Sequence, residues 1–408
     1  MSGVPHYATG CAYAGFVRTR KTVIAGVVVT AMACACTPAA AALRPAVTPV
    51  AASVIVTAGN DDDIAAEAQR RVASLTLREK AASVVMGHIA TTDGARLRAY
   101  MRDSDAGGFI LMGANIPGSE RELRDVTEAL TVDAGLPPLI AVDEEGGDVT
   151  RLPWDDLPAA WQVRDAAPAA AREAYAARAA LVQRAGIGVN FGVIADVTDD
   201  SASFIYDRVL GTTPNAAAAR VAAAVEGESG QVLTTLKHFP GHGAVEGNSH
   251  VMIPATDLSR AEWEKTDAVP FRAGIDAGAP LLMFGHLAYT AVDRQPASLS
   301  KKWHDIARDE LGFTGVAITD DLGMLQASGV AAYTDPVANA VQALVAGNDM
   351  VLAVMYTTAD SARAITDGIV AAVKDGALTR ARLDEAATRV MALRVQTAAA
   401  GRGLVPVG

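Results

Sequence analysis

Three of the seven histidines of this 408-residue chain lie within fourteen residues, together with a lysine. The segment from Lys237 to His250 reads Lys-His-Phe-Pro-Gly-His-Gly-Ala-Val-Glu-Gly-Asn-Ser-His. An imidazole changes its charge near neutral pH, so it can donate or accept a proton during a reaction. The apolar run at 232–236 precedes the segment, and Pro240 with its neighbouring glycines prevents a regular continuation. The pattern predicts a catalytic loop at the end of a buried strand.

Carboxylates follow other apolar runs in the same way. Asp320 and Asp321 come directly after the β-branched run at 315–319. Because side chains alternate between the two faces of a strand, only one of this pair can point into a pocket, and alternation alone does not say which. Asp143 and Asp196 follow two further apolar runs.

These segments resemble the signatures of glycoside hydrolase family 3, in its single-domain, lipoprotein-type bacterial β-N-acetylglucosaminidase branch. Residues 237–250 are similar to the family pattern Lys-His-(Phe/Ile)-Pro-Gly-His-Gly, followed by Asp-(Ser/Thr)-His. Residues 142–147 are similar to Val-Asp-Gln-Glu-Gly-Gly. The resemblance implies a retaining exo-β-N-acetylglucosaminidase that releases terminal GlcNAc from cell-wall, muropeptide-like or related glycans. The reaction would pass through a covalent glycosyl-aspartate.

The resemblance also implies roles for individual residues. Asp320 matches the nucleophile, and His250 matches an acid/base on the loop after the fifth strand. The residues expected to bind the sugar are Asp143, Arg208, Lys237 and His238. Asp196 is expected to hold neighbouring loops. Neither a metal ion nor a cofactor is implied.

One position departs from the family pattern. Where the family has an aspartate that stabilises the protonated histidine, this chain has Asn248. An amide can orient the ring of His250, but it supplies no charge. Glu246, four residues before His250, is an alternative source of charge. The departure predicts an acid/base of reduced competence.

Other functions stay open. A β-glucosidase or a glycoside phosphorylase of the same family would share the site, and Asn248 alone would fit a sugar-binding lipoprotein that has lost catalysis. A metal hydrolase is disfavoured because His238 and His242 would need a helix to share one face, which Pro240 opposes. A serine hydrolase is disfavoured because the sequence contains no Gly-x-Ser-x-Gly elbow.

Short apolar runs alternate with alanine-rich helical stretches from residue 64 onward. Such alternation predicts parallel βα units, and eight of them predict a single (β/α)8 TIM barrel over 64–408. In such barrels the active site lies at the carboxyl ends of the strands. The predicted strands are 83–87, 108–112, 139–142, 188–194, 232–236, 281–284, 315–319 and 350–354.

The first part of the chain predicts export. Residues 1–36 are similar to a signal peptide with a lipobox, in which Cys34 or Cys36 would carry the lipid; the alternative is an ordinary cleaved secretion signal. Residues 37–63 predict a flexible tether. We therefore expect a lipid-anchored monomer at the outer face of the cell membrane. The formal charge of −11 argues against nucleic acid as a partner.

Overall fold

The computed structural model describes residues 61–401. The leader predicted at 1–36 and nearly all of the tether predicted at 37–63 lie outside the described residues. The first helix begins at Asp61, so the three aspartates at 61–63 open a helix instead of ending the tether. Negative residues are favourable in a first helical turn because the helix N-terminus carries partial positive charge.

Strands and helices alternate along the described chain. The strands of the central sheet are β1 (Val85–Gly87), β2 (Gly108–Leu111), β3 (Leu139–Val142), β4 (Val189–Ile194), β5 (Leu233–Phe239), β6 (Leu281–Phe284), β7 (Val316–Asp321) and β8 (Met350–Leu352). The α-helices are α1 (Asp61–Ser74), α2 (Leu77–Ser83), α3 (Gly94–Ser104), α4 (Glu120–Leu130), α5 (Ala160–Val163), α6 (Pro168–Arg184), α7 (Pro214–Glu228), α8 (Arg260–Trp263), α9 (Ala268–Asp276), α10 (Lys301–Asp305), α11 (Leu322–Ala327), α12 (Pro336–Ala346), α13 (Ser361–Lys374) and α14 (Arg380–Ala399).

The central sheet closes on itself. Its strand order is β1-β8-β7-β6-β5-β4-β3-β2, and all neighbouring strands are parallel. Each of the eight predicted strands corresponds to an observed one, and the predicted (β/α)8 TIM barrel is confirmed. Two strands run further than predicted, because β5 continues to Phe239 and β7 continues to Asp321.

Alternation along β3 decides which side chains enter the barrel. Leu139 and Ala141 belong to the apolar cluster inside the barrel. Ile140 and Val142 belong to a cluster shared with the surrounding helices. Since side chains repeat every two residues, Asp143 continues the inward series at the carboxyl end of the strand.

The same alternation separates the two aspartates of β7. Val316 and Ile318 lie in the cluster inside the barrel, and Ala317 lies in an outer cluster packed on helices. Asp320 therefore continues the inward series, and Asp321 continues the outward series. The strand itself thus selects one of the two carboxylates for the mouth of the barrel.

A pair of short strands lies outside the barrel. Ala255–Thr256 follows the histidine loop and pairs in parallel with Ala288–Tyr289, which follows β6. This small sheet ties the end of the loop after β5 to the neighbouring loop. Within residues 61–401, no helix combines the length and the apolarity needed to cross a membrane.

Candidate active site

Charged side chains at the carboxyl ends of the strands form an ion-pair cluster, consisting of Asp143, Glu145, Arg151, Arg208 and Lys237. The Lys237 ammonium lies 2.8 Å from Asp143 Oδ1 and 2.7 Å from Glu145 Oε1. Arg208 donates to both oxygens of Glu145, at 2.8 Å each. Arg151 approaches the second oxygen of Asp143 at 3.6 Å. The cluster connects β5 to the loops that follow β3 and β4.

Burial in the cluster is compensated by opposite charges. Glu145 is 2% exposed and Lys237 is 3% exposed, and burial alone disfavours the charged form of both. Arg208 and Lys237 nevertheless lower the pKa of Glu145 to about 2. Asp143 and Glu145 likewise raise the pKa of Lys237 against the effect of burial. Glu145 and Lys237 therefore stay charged around neutral pH. Asp143, whose side chain is 17% exposed, is open to a ligand.

Asp196 follows β4 and holds the start of the histidine loop. It is fully buried, and its carboxylate accepts the backbone N–H groups of His238 at 3.2 Å and His242 at 2.5 Å. It also accepts a hydrogen bond from His238 Nδ1 at 2.8 Å. Burial opposes ionisation of Asp196, but these contacts outweigh it and lower its pKa. The Nδ1 contact leaves Nε2 as the nitrogen of His238 that a ligand can use.

Asp321 is committed to the backbone. Its carboxylate accepts N–H groups from Gly323, Val354 and Met355 at distances from 2.8 to 3.0 Å. These contacts cap the start of α11 and hold the loop after β8. The outward carboxylate of the pair is therefore structural.

Asp320 faces the histidines instead. Burial raises the pKa of this carboxyl, but nearby His238 and His286 and the N–H of Asp321 outweigh it, so that the pKa lies below its ordinary value. His250 contributes in the same direction. The result is an ionised carboxylate at the mouth of the barrel.

His250 lies on the exposed loop after β5. Asn248 Oδ1 accepts hydrogen bonds from the ring Nδ1 at 2.7 Å and from the backbone N–H of His250 at 3.0 Å. With Nδ1 donating, Nε2 is the nitrogen left for proton transfer. Glu246 is exposed, and within residues 61–401 neither a hydrogen bond nor an ion pair joins it to His250. The structure thus gives the ring a neutral partner and does not support Glu246 as a substitute.

The electrostatic surroundings favour the neutral form of His250. Partial desolvation lowers the pKa of the imidazole, and the carboxylate of Asp320 raises it. His238 and Arg208 act against protonation, and the resulting pKa lies below its ordinary value of 6.5. A carboxylate at position 248 would have opposed this shift.

A second contact fixes the loop that carries His250. Ser249 is buried between two exposed neighbours, and its Oγ lies 2.9 Å from His242 Nε2. Phe204 packs edge-on against the His242 ring, with centroids 4.8 Å apart. Beside these residues, a cavity of about 520 Å³ lies between the loops after β4 and β5. The loop is therefore attached to the barrel through His242 while its tip stays exposed.

His286 supports the end of β7 from the neighbouring strand. Its Nε2 donates to the backbone oxygen of Asp321 at 2.8 Å, and its Nδ1 lies 2.7 Å from Ser298 Oγ. Complete burial lowers the pKa of His286, so its ring is neutral near pH 7. In the part of the chain that the structure describes, no group of three or more histidine, cysteine, aspartate or glutamate side chains is arranged to hold a metal ion.

The predicted site residues all lie at one end of the barrel, at the carboxyl ends of the strands or on the loops that follow them. The residues predicted from the sequence are Asp143, Arg208, Lys237, His238, Asn248, His250 and Asp320. Sequence reasoning missed Glu145, the carboxylate that joins Lys237 to Arg208. Its place in residues 142–147, the segment that resembles the family pattern, was a usable signal.

Comparisons with known proteins agree with this geometry. Residues 76–393, more than half of the chain, match the family described as the glycosyl hydrolase family 3 N-terminal domain. A β-hexosaminidase from Chromobacterium violaceum is 38% identical over 266 residues, which cover 62% of this chain and 73% of that protein. A β-hexosaminidase from Nitrosomonas eutropha is 36% identical over 259 residues, which cover 60% and 73%.

Solved structures lead to the same family. A glycoside hydrolase family 3 β-N-acetylglucosaminidase from Paenibacillus sp. str. FPU-7 matches with a TM-score of 0.74 at 29% identity, over 80% of this chain and 63% of that chain. A β-N-acetylhexosaminidase from Beutenbergia cavernae DSM 12333 matches with a TM-score of 0.70 at 30% identity, over 79% of this chain and 99% of that chain. The chain is therefore a glycoside hydrolase, and it belongs to glycosyl hydrolase family 3.

Proposed function

We propose that this protein is a retaining exo-β-N-acetylglucosaminidase that acts through a covalent glycosyl-aspartate. The observation that supports this most strongly is the arrangement around Asp320. An ionised carboxylate at the mouth of the barrel faces His238, and the imidazole of His250 lies within its electrostatic influence. The ion-pair cluster lies at the same end of the barrel. A nucleophile, a proton carrier and groups that bind hydroxyls are the parts that this chemistry requires.

In the first step, an oxygen of Asp320 attacks the anomeric carbon of a terminal sugar. The bond to the glycosidic oxygen breaks, and that oxygen takes the proton from Nε2 of a protonated His250. Asp143 and Lys237 contact the ring hydroxyls, since a carboxylate accepts and an ammonium donates hydrogen bonds. The products are a glycosyl-aspartate and a free alcohol.

In the second step, water replaces the alcohol. Neutral His250 accepts a proton from the water, whose oxygen attacks the anomeric carbon and releases Asp320 as a carboxylate. The ring enters this step neutral, because it gave its proton to the alcohol in the first step. The lowered pKa of His250 is unfavourable in the first step, where the ring must be protonated.

Asn248 therefore performs only one of the two tasks that an aspartate would perform at this position, namely orienting the ring of His250 but not stabilising its charge. Its amide oxygen fixes the tautomer and the orientation of the His250 ring. It does not add the negative charge that would stabilise the imidazolium. We propose that the enzyme favours substrates whose leaving group departs without a proton, such as activated aryl glycosides, over disaccharides.

The test compares 4-methylumbelliferyl N-acetyl-β-glucosaminide with the matching β-glucoside, each with and without inorganic phosphate. The proposal predicts higher kcat/KM on the N-acetylglucosaminide and free GlcNAc as the product in both buffers. A preference for the glucoside would identify a β-glucosidase. A sugar 1-phosphate as the main product would identify a phosphorylase. Substrate binding without turnover of either glycoside would identify a binding protein.

We further propose that the protein acts as a lipid-anchored monomer at the outer face of the cell membrane, on cell-wall glycans. The small residues around Cys34 and Cys36 support the anchor. All the groups proposed to act on the sugar come from one chain, so the proposed reaction does not require a second copy. Detergent-phase partitioning of the protein should be lost when both cysteines become serine. Partitioning that persists in this variant would overturn the anchor, and a soluble wild-type protein would favour ordinary secretion.

A further inference from the structure

Glu144 lies between two members of the ion-pair cluster but points away from it. Its side chain is fully buried, and Oε2 accepts the backbone N–H groups of Arg151 and Leu152 at 2.9 Å each. The amide of Asn190 contacts the main chain of Glu144, accepting from its N–H at 3.1 Å and donating to its C=O at 3.0 Å. Glu144 thereby links the two ends of the loop that carries Asp143 and Arg151.

The second carboxyl oxygen of Glu144, Oε1, accepts no hydrogen bond from a described N–H or O–H group. Among the described residues, Glu144 Oε1 is buried without a hydrogen-bond partner, and the side chain lies against the carboxyl of Asp155. Asp155 accepts from Arg178 Nε at 2.7 Å and from the N–H of Leu157 at 2.9 Å. Two ionised carboxylates cannot satisfy one another, because both only accept. If one of the two carboxyls is protonated, its O–H can donate a hydrogen bond to the other.

The remaining charges around Glu144 do not replace that proton. Arg178 is fully buried and donates to Asp155 through Nε. Its Nη1 is buried without a hydrogen-bond partner among the described residues, and no ion pair joins Arg178 to Glu144 within residues 61–401. Glu228 is joined to Glu144 through Asn190, and burial raises its pKa to about 7. Tyr175 is buried beside these groups with a raised pKa and stays neutral. Burial and the neighbouring Asp155 raise the pKa of Glu144 to about 8.

We propose that Glu144 is a positioning residue that works as a neutral acid, its Oε1–H donating to Asp155 while its Oε2 holds the backbone between Asp143 and Arg151. Loss of this proton places two carboxylates side by side in the core and displaces the loop. The effect on sugar binding rests on the proposed function, in which Asp143 contacts the sugar. The effect on folding stability does not.

The sign of the stability effect follows from linkage. Between pH 4.5, the ordinary glutamate pKa, and about pH 8, the folded protein keeps the proton of Glu144 while the unfolded chain loses it. Stability therefore falls as pH rises through this window, and the contribution becomes constant above it. Glutamine removes the dependence, because its amide N–H can donate to Asp155 and its oxygen can accept the two N–H groups.

The experiment measures the thermal midpoint of unfolding from pH 5 to pH 9 for the wild type, Glu144→Gln and the matched control Glu128→Gln. Glu128 is exposed on α4, so its variant should follow the wild type. The stability gained by Glu144→Gln should be smallest at pH 5, grow up to pH 8 and stay constant beyond. A difference that does not vary with pH would overturn the proposal.

Two further measurements test the proposal without relying on thermal unfolding. The difference between the infrared spectra of the wild type and Glu144→Gln at pH 6 should contain a protonated-carboxyl band that is largely lost by pH 9; its absence would contradict a neutral Glu144, and the difference removes the bands of other buried carboxyls such as Glu228. In kinetics, about one tenth of the enzyme keeps the proton at pH 9, so KM should rise about tenfold relative to Glu144→Gln. The value of kcat should change less. An equal KM for both proteins at pH 9 would show that the proton does not position the loop.

Discussion

The ion-pair cluster and the histidine loop lie at the same end of the barrel, but they are built differently. Glu145 and Lys237 are at most 3% exposed and are joined by opposite charges on strand ends. Asn248 and His250 are exposed, and the ring is oriented by a neutral amide. The groups proposed to bind the sugar are thus fixed by the barrel before substrate arrives, whereas the proposed proton transfer depends on a loop held at few points. The difference predicts that substitutions in the two regions will change different kinetic constants.

The largest effect should come from the carboxylate that belongs to neither region. Asp320→Asn removes the proposed nucleophile and should lower kcat by about 10⁴-fold or more on every substrate. Asp321→Asn is the matched control one residue away. It weakens contacts to three backbone N–H groups, so we expect lower thermal stability with most of the activity retained. Equal losses of activity in the two variants would contradict the assignment.

In the loop, the acid/base should be improvable. In the wild type, Nδ1 of His250 lies 2.7 Å from Asn248 Oδ1. Asn248→Asp replaces this amide oxygen with a carboxylate and should raise the rate of disaccharide hydrolysis. General acid assistance is typically worth about 10²–10⁴-fold, which bounds the gain. Rates on activated aryl glycosides should change little. If His250→Ala abolishes disaccharide hydrolysis while Asn248→Asp leaves it unchanged, the charge argument is wrong.

The same substitution should move the pH profile. Wild-type kcat/KM on a disaccharide should fall as pH rises through the pKa of His250, which lies below 6.5, because the first step needs the protonated ring. A carboxylate at 248 raises that pKa, so the alkaline limb of Asn248→Asp should lie at higher pH. The acid limb, set by Asp320, should stay in place. An alkaline limb that does not move would show that another group sets it.

In the cluster, the expected change is in binding. Glu145→Gln leaves Arg208 and Lys237 with less compensating charge in a buried place, a type of change that destabilises proteins by about 3 kcal/mol. We expect a higher KM with a smaller change in kcat, together with a lower thermal midpoint. A variant with normal KM but reduced kcat would mean that the cluster acts on the transition state and not on binding.

The smallest effect should come from Glu246. This residue is exposed and does not contact His250 in the described structure. Glu246→Gln should therefore leave the disaccharide rate and the pH profile unchanged. A clear loss of disaccharide activity would restore Glu246 as the charged partner of the ring.

Patterns in the sequence predicted the barrel and the gathering of the site residues, because both depend on alternation and on strand ends. Alternation could not choose between Asp320 and Asp321 until the inner cluster fixed the phase of β7. The partners of Glu145 and Glu144 were beyond prediction for another reason. Arg208, a partner of Glu145, lies 63 residues from it in the sequence. Asp155, which lies beside Glu144, belongs to a separate turn. Only the folded chain brings these residues together.

In the proposed mechanism, Asp320 forms a covalent bond to the sugar. The most direct measurement is to trap the intermediate with a 2-deoxy-2-fluoro or related mechanism-based sugar, digest the labelled protein and map the label by mass spectrometry. We expect one label per chain on Asp320, with none in Asp320→Asn and normal labelling in Asp321→Asn. A label on Asp321, or on any glutamate, would contradict the proposed mechanism.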